Sequence, residues 1–125
     1  MGPLCLYLDD ERNPYVTEEP NTIELMKQLA SIGARCVVAK NSTEFKAAIT
    51  DEMPWIVSFD HDLGEINEDT NRETTGKDCA EWLCDYCLAE GLRLPEIYIH
   101  TNNPRGRENI DGTVKFYLKH KPELR

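Results

Sequence analysis

The chain is short of several things, and each shortage excludes something. No apolar run approaches the ~20 residues a membrane-crossing helix needs, and the start of the chain carries no basic segment followed by a long apolar stretch, so neither a spanning helix nor a secretory signal is expected. Basic residues are scarce: 14 Lys and Arg against 23 Asp and Glu leave a formal charge of −9 over 125 residues. That balance disfavours broad capture of duplex nucleic acid, which relies on basic surfaces. Cysteines number five, an odd count without a paired framework. Cys84 and Cys87 stand at C-x-x-C spacing, but no second Cys/His pair completes a zinc site. They read most simply as small apolar residues of a reduced compartment. There is no internal repeat and no low-complexity tract. A single domain over 1–125, cytoplasmic and not membrane-bound, is expected.

What is present is an alternation of short apolar runs and helical periodicities. Apolar runs at 3–8, 35–39, 55–60 and 96–100 read as strands. Between and after them lie amphipathic segments. The first opens at Asn21, with Glu24 in capping-box spacing, and is stopped by Gly33. A short one opens at Ser42 or Thr43, and a longer one runs from Thr74 or Thr75 to Glu90. The last follows the polar turn 101–107 and bears Ile110, Val114, Tyr117 and Leu118. Residues 64–75 are polar and acidic and read as a flexible loop. The order βαβαβαβα predicts a compact, doubly wound α/β three-layer sandwich of flavodoxin or receiver type. Its four-stranded parallel sheet would take the order 2-1-3-4.

Two of the strands stop in carboxylates: Leu8-Asp9-Asp10-Glu11-Arg12, and Phe59-Asp60-His61-Asp62. Ligands of open α/β sheets bind at the C-terminal strand edge, so Asp9, Asp10, Asp60 and Asp62 are expected to converge there. Carboxylates gathered at one point raise one another's pKa unless a cation intervenes. Oxygen ligands of this kind suit Mg2+ or Mn2+. His61 and His100 end two strands at the same edge and are candidate proton shuttles. Arg12, Arg105 and Arg107 are conspicuous in so acidic a chain; their planar forks suit phosphate oxygens. Thr101 and Asn102 offer a hydroxyl and an amide after the fourth strand.

Taken in order, strand–Asp-Asp, strand–Asp and strand–Thr resemble response-regulator receiver domains. The resemblance implies an acidic pair (Asp9, Asp10) binding Mg2+, a phosphoacceptor (Asp60) and a hydroxyl residue (Thr101). The chain departs from that pattern in three ways. It shows no fifth strand with a terminal Lys, it has His61-Asp62-Leu63-Gly64 in place of the usual Pro-Gly turn, and His100 precedes Thr101. With those departures it is similar to a narrower group, the cyclic-phosphate-processing receiver-like domains. The matching runs are 8–14, 58–64, Thr75-Gly76 and His100-Thr101-Asn102-Asn103-Pro104-Arg105-Gly106. The resemblance implies a metal-assisted phosphoesterase, a phosphodiester hydrolase processing cyclic or terminal phosphates of nucleotides or RNA ends. Asp9, Asp10, Asp60 and Asp62 would hold metal; Asp60, His61, His100 and Thr101 would carry the chemistry; Arg12, Asn102, Arg105 and Arg107 would hold phosphate. Two other classes remain open: a non-catalytic signalling or interaction module, and a protein that sequesters a cyclic nucleotide.

Overall fold

In the computed structural model, which describes residues 3–125, strands β1 (Leu4–Leu8), β2 (Arg35–Ala39), β3 (Ile56–Phe59) and β6 (Glu96–Ile99) form one parallel sheet in the order β2-β1-β3-β6. This is the expected order 2-1-3-4, with the fourth parallel strand numbered sixth because two further strands precede it. Helices α1 (Pro20–Ser31), α2 (Ser42–Asp51), α3 (Gly76–Glu90) and α4 (Pro104–His120) connect or follow the strands, and a short 3-10 turn, Pro122–Leu124, ends the fold.

The central strands β1 and β3 are buried along their whole length, as continuous apolar runs covered on both faces require. One face meets α1, through Cys5, Leu25, Leu29 and Ile56. The other holds the larger core, where Leu6, Leu8, Val57 and Phe59 pack with Phe45, Leu83, Cys84 and Ile110. Among the described residues no helix is long and apolar enough to cross a membrane.

Residues 64–75 are not a loop. They lie in an antiparallel hairpin, β4 (Asp62–Asn67) and β5 (Arg72–Thr75), separate from the main sheet. Its residues give no alternation to read, because Leu63 alone among them is buried. It is held by other means. Gly64 at φ 61 accompanies a register shift between Asp62 and Glu65, and Asn71 takes φ 54 in the turn. Glu65 accepts hydrogen bonds from the backbone N–H and the hydroxyl of Ser42, so a hairpin carboxylate caps α2 alongside Asn41.

Helix starts also differ from expectation. Helix α1 begins at Pro20, and its cap is Glu19, whose carboxylate accepts from the Asn21 and Thr22 N–H groups at 3.2 and 2.7 Å. Pro20 lacks an N–H and fits the first turn. Helix α4 starts at Pro104, capped by Asn103, so Arg105, Gly106 and Arg107 stand on its first turns and not in a loop.

Candidate active site

The sheet ladder delivers two carboxylates to one place. The Asp9 N–H donates to the Ala39 carbonyl and the Asp60 N–H to the Leu8 carbonyl, both at 3.0 Å, so each Asp is the first residue past its strand. The next N–H across, that of His100, donates to the Phe59 carbonyl at 3.0 Å. Ligand atoms of Asp9, Asp60 and His100 all lie within 4.8 Å of one another, and all three residues are buried.

Asp9 is the most heavily bonded of the group. Its Oδ1 accepts the backbone N–H groups of Glu11 and Arg12, each at 2.9 Å. Its Oδ2 lies 3.1 Å from His100 Nε2 and 3.9 Å from Arg12 Nε. Burial by itself would push this carboxyl up. The His100 bond and the two N–H donors outweigh burial and hold it below the ordinary carboxylate range. An ionised Asp9 only accepts, so His100 Nε2 carries the proton. In the neutral ring Nδ1 then accepts from the Ser58 hydroxyl, 2.7 Å away. The ring lies flat against Tyr7, with centroids 4.1 Å apart and planes 7° from parallel. A buried chain Ser58–His100–Asp9 thus stands behind the site.

Asp60 is treated in the opposite way. Burial and the charge of Asp9 raise its pKa; His100, the His61 N–H and the Thr101 hydroxyl offset this only in part. The expectation that all four carboxylates raise one another therefore holds at Asp60 and not at Asp9, where hydrogen bonds win. Asp62, largely exposed, is held down by its bond to His61. That bond spans 2.9 Å from His61 Nδ1 to Asp62 Oδ1, while the Asn103 amide reaches Asp62 Oδ2 at 3.3 Å.

Two glycines permit this crowding. A Cβ on Gly76 would overlap the Asp60 carbonyl oxygen, so the α3 N-terminus reaches the site only through glycine there. A Cβ on Gly106 would fall 2.5 Å from His61 Cγ, so that ring is wedged against the start of α4.

In front of the carboxylates opens a cleft of about 350 Å3. It is lined by Asp9, Asp10, Arg12, Asp60, Asp62, Thr101, Asn102 and Asn103 from the strand ends, with Glu11, Gly64 and Glu73 at its margins. Most of the residues singled out from the sequence meet here. Asp10 and Asp62 line the cleft without joining the close cluster. His61 and His100 do not line it; one ties the hairpin to α4 and the other sits behind Asp9. Arg105 is exposed and Arg107 half-buried on α4, and neither lines the cleft. Ser58, Tyr7 and Glu73 were missed as site residues. Ser58 had a signal: a hydroxyl inside an otherwise apolar buried strand needs a partner.

An α/β domain with an acidic pair after β1, an Asp after β3 and a Thr after β6 defines a receiver-like protein. Residues 4–116 match the family model described as the cyclic-phosphate processing Receiver domain, and the chain belongs to that family. Among solved structures it is similar to a fusion protein carrying amino acids 181–211 of the yeast Spc42 trimeric coiled coil, at 12% identity and TM-score 0.52 over 98% of this chain and 80% of that one. It is also similar to a CheY-like response regulator receiver domain protein from Methanospirillum hungatei JF-1, at 17% identity and TM-score 0.46 over 98% and 99%. The response regulator PhyR from Brucella abortus aligns at 16% identity and TM-score 0.47, over 98% of this chain and 51% of that one. No curated protein matches the chain.

Proposed function

We propose that the cleft is a metal-assisted phosphoesterase site acting on the cyclic phosphate of a nucleotide or the terminal phosphate of an RNA. The observation that carries this reading is the Asp9–Asp60 pair. Two buried carboxylates face one cleft, and the proximity of Asp9 helps to raise Asp60. Such a pair favours a cation between them. The donor set fits a hard ion: carboxylate oxygens of Asp9 and Asp60 with Asp10 on the same cleft, and His100 Nε2 already engaged by Asp9. A bound Mg2+ or Mn2+ would neutralise the paired charge and polarise a phosphoryl oxygen.

The chain's own groups supply the rest. Asp60 is placed either to accept a proton from the attacking group or, ionised, to attack phosphorus itself. Thr101 and Asn102 present a hydroxyl and an amide to phosphoryl oxygens. Arg12 spends Nη1 on the His100 carbonyl at 3.2 Å and keeps other donors of its fork for phosphate.

One observation favours a second reading, a signalling or interaction module that binds without turnover. His100 is 1% exposed and both ring nitrogens are engaged, so it is not free to shuttle protons into the cleft. Incubation with a panel of 2′,3′-cyclic nucleotides and Mg2+, followed by chromatography, separates the two. The phosphoesterase reading expects a ring-opened monoester that Asp60→Asn does not produce. Binding without conversion in single-turnover conditions would favour the module.

A further inference from the structure

The far edge of the main sheet is open among the described residues. Among the described residues β6 pairs with β3 alone. The Glu96 and His100 N–H groups donate to the Trp55 and Phe59 carbonyls at 2.9 and 3.0 Å. By strand alternation the peptide groups of Ile97 and Ile99 point away from β3, and no backbone partner meets them among the described residues. The Ile97 and Ile99 side chains face the α4 side. With Val114, Leu118 and Leu124 they line a groove of about 440 Å3 running along the edge.

An exposed sheet edge is ordinarily blunted by Lys, Pro, a bulge or a cover. The opposite edge, β2, begins with Arg35, paired with Glu52 at 2.9 Å. The β6 strand, Glu-Ile-Tyr-Ile, is guarded only at its start, by Pro95 and Glu96, and carries no charge, Pro or Lys over Ile97–Ile99. The charge around the groove is also unlike the rest of the molecule. Glu96 and Asp111 are matched there by Lys115 and Arg125, a neutral set of side chains in a chain of net charge −9. Two copies approaching through most surfaces would repel; through this one they would not.

We propose that β6 is a self-association edge, where two copies pair antiparallel about a twofold axis. Ile97 of one stands opposite Ile99 of the other, and each such pair exchanges both N–H···O=C bonds. The two four-stranded sheets become one continuous sheet. The two grooves meet in a single apolar seam flanked by both α4 helices. This edge is remote from the acidic cleft in its lining residues, so association and phosphate chemistry are separable.

Sedimentation of the full chain combined with residue-resolved hydrogen exchange tests this. A dimer is expected at about 100 μM, and the Ile97 and Ile99 amides should exchange at least ~10-fold more slowly there than in dilute monomer. Lys115→Glu, on an exposed helix position, makes each rim net negative and should weaken association at least ~10-fold at low salt. Asp111→Lys/Lys115→Glu restores neutrality and should restore association. A chain that stays monomeric at about 1 mM, a dimer whose Ile97 and Ile99 amides remain as fast as in the monomer, or indifference to Lys115→Glu would each overturn the proposal.

Discussion

His100 donates its Nε2 proton to Asp9 Oδ2 across 3.1 Å, and each side chain is 1% exposed. This is the pivot between the core and the cleft. The ring stacks on Tyr7 of β1, reaches Ser58 of β3 and belongs to the end of β6, so three neighbouring strands define where Asp9 points. Removing the ring leaves a buried carboxylate short of its strongest partner. His100→Gln should cost about 2–4 kcal/mol, in the range for bonds to buried charges. Urea denaturation at neutral pH measures it. Stability within about 0.5 kcal/mol of wild type, the range of an indifferent surface change, would show that the pair does not hold the site.

Asp9 and Asp60 should respond to pH with opposite signs. Asp9 is depressed in the fold, so its ionised form stabilises above the unfolded pKa, and that contribution is lost as pH falls through the folded pKa. Asp60 is raised, so its ionised form costs stability above the folded pKa, and the cost vanishes below the unfolded one. In chelator at neutral pH, Asp9→Asn should melt below wild type and Asp60→Asn above it. Both differences should shrink as pH drops beneath the carboxylate range. Melting curves across pH check this; shifts of the same sign would contradict the assigned electrostatics.

Gly76→Ala places a methyl against the Asp60 carbonyl. Overpacking of this kind costs roughly 1–3 kcal/mol, and the α3 N-terminus must withdraw from the Asp60–His61 backbone. Alanine is the better helix former, so propensity alone predicts a gain of up to about 1 kcal/mol. A calorimetric melt decides between them, and a more stable Gly76→Ala variant would refute the close approach.

The cysteines should separate by burial. Cys5, Cys79, Cys84 and Cys87 are buried and Cys36 only partly so. Burial raises the thiols of Cys79 and Cys84 to about 12 and that of Cys87 to about 11. In native buffer Cys36 should label first and the other four only on unfolding. Cys84→Ala/Cys87→Ala should lose stability without losing metal. Bound zinc that disappears in that double variant would reverse the assignment of these residues to the core.

The parts of the fold that could be read in advance were those where burial writes a pattern. Leu4–Leu8 and Ile56–Phe59 are apolar runs ending in Asp, and both lie where parallel strands under two helical layers should. The convergence of Asp9, Asp10, Asp60 and Asp62 on one cleft follows from strand order alone. The β4–β5 hairpin left no such trace, because Leu63 alone of its residues is buried and Glu65 serves as a cap for α2. Glu19 is an uncommon cap, and Asn21 gave a stronger but misleading signal. For His100, position along the chain was legible and orientation was not. A histidine at a strand end can face the ligand or the core, and only the flat face of Tyr7 and the hydroxyl of Ser58 decide it.

On the proposed reading Asp9 and Asp60 share a divalent cation at the floor of the cleft. Isothermal titration of Mg2+ into wild type and into Asp9→Asn/Asp10→Asn addresses it most directly. Wild type should show one saturable site, with a melting temperature raised by about 4–8 °C at ten times the dissociation constant, and the variant no heat or shift. Equal binding by both proteins, or none by wild type, would contradict it.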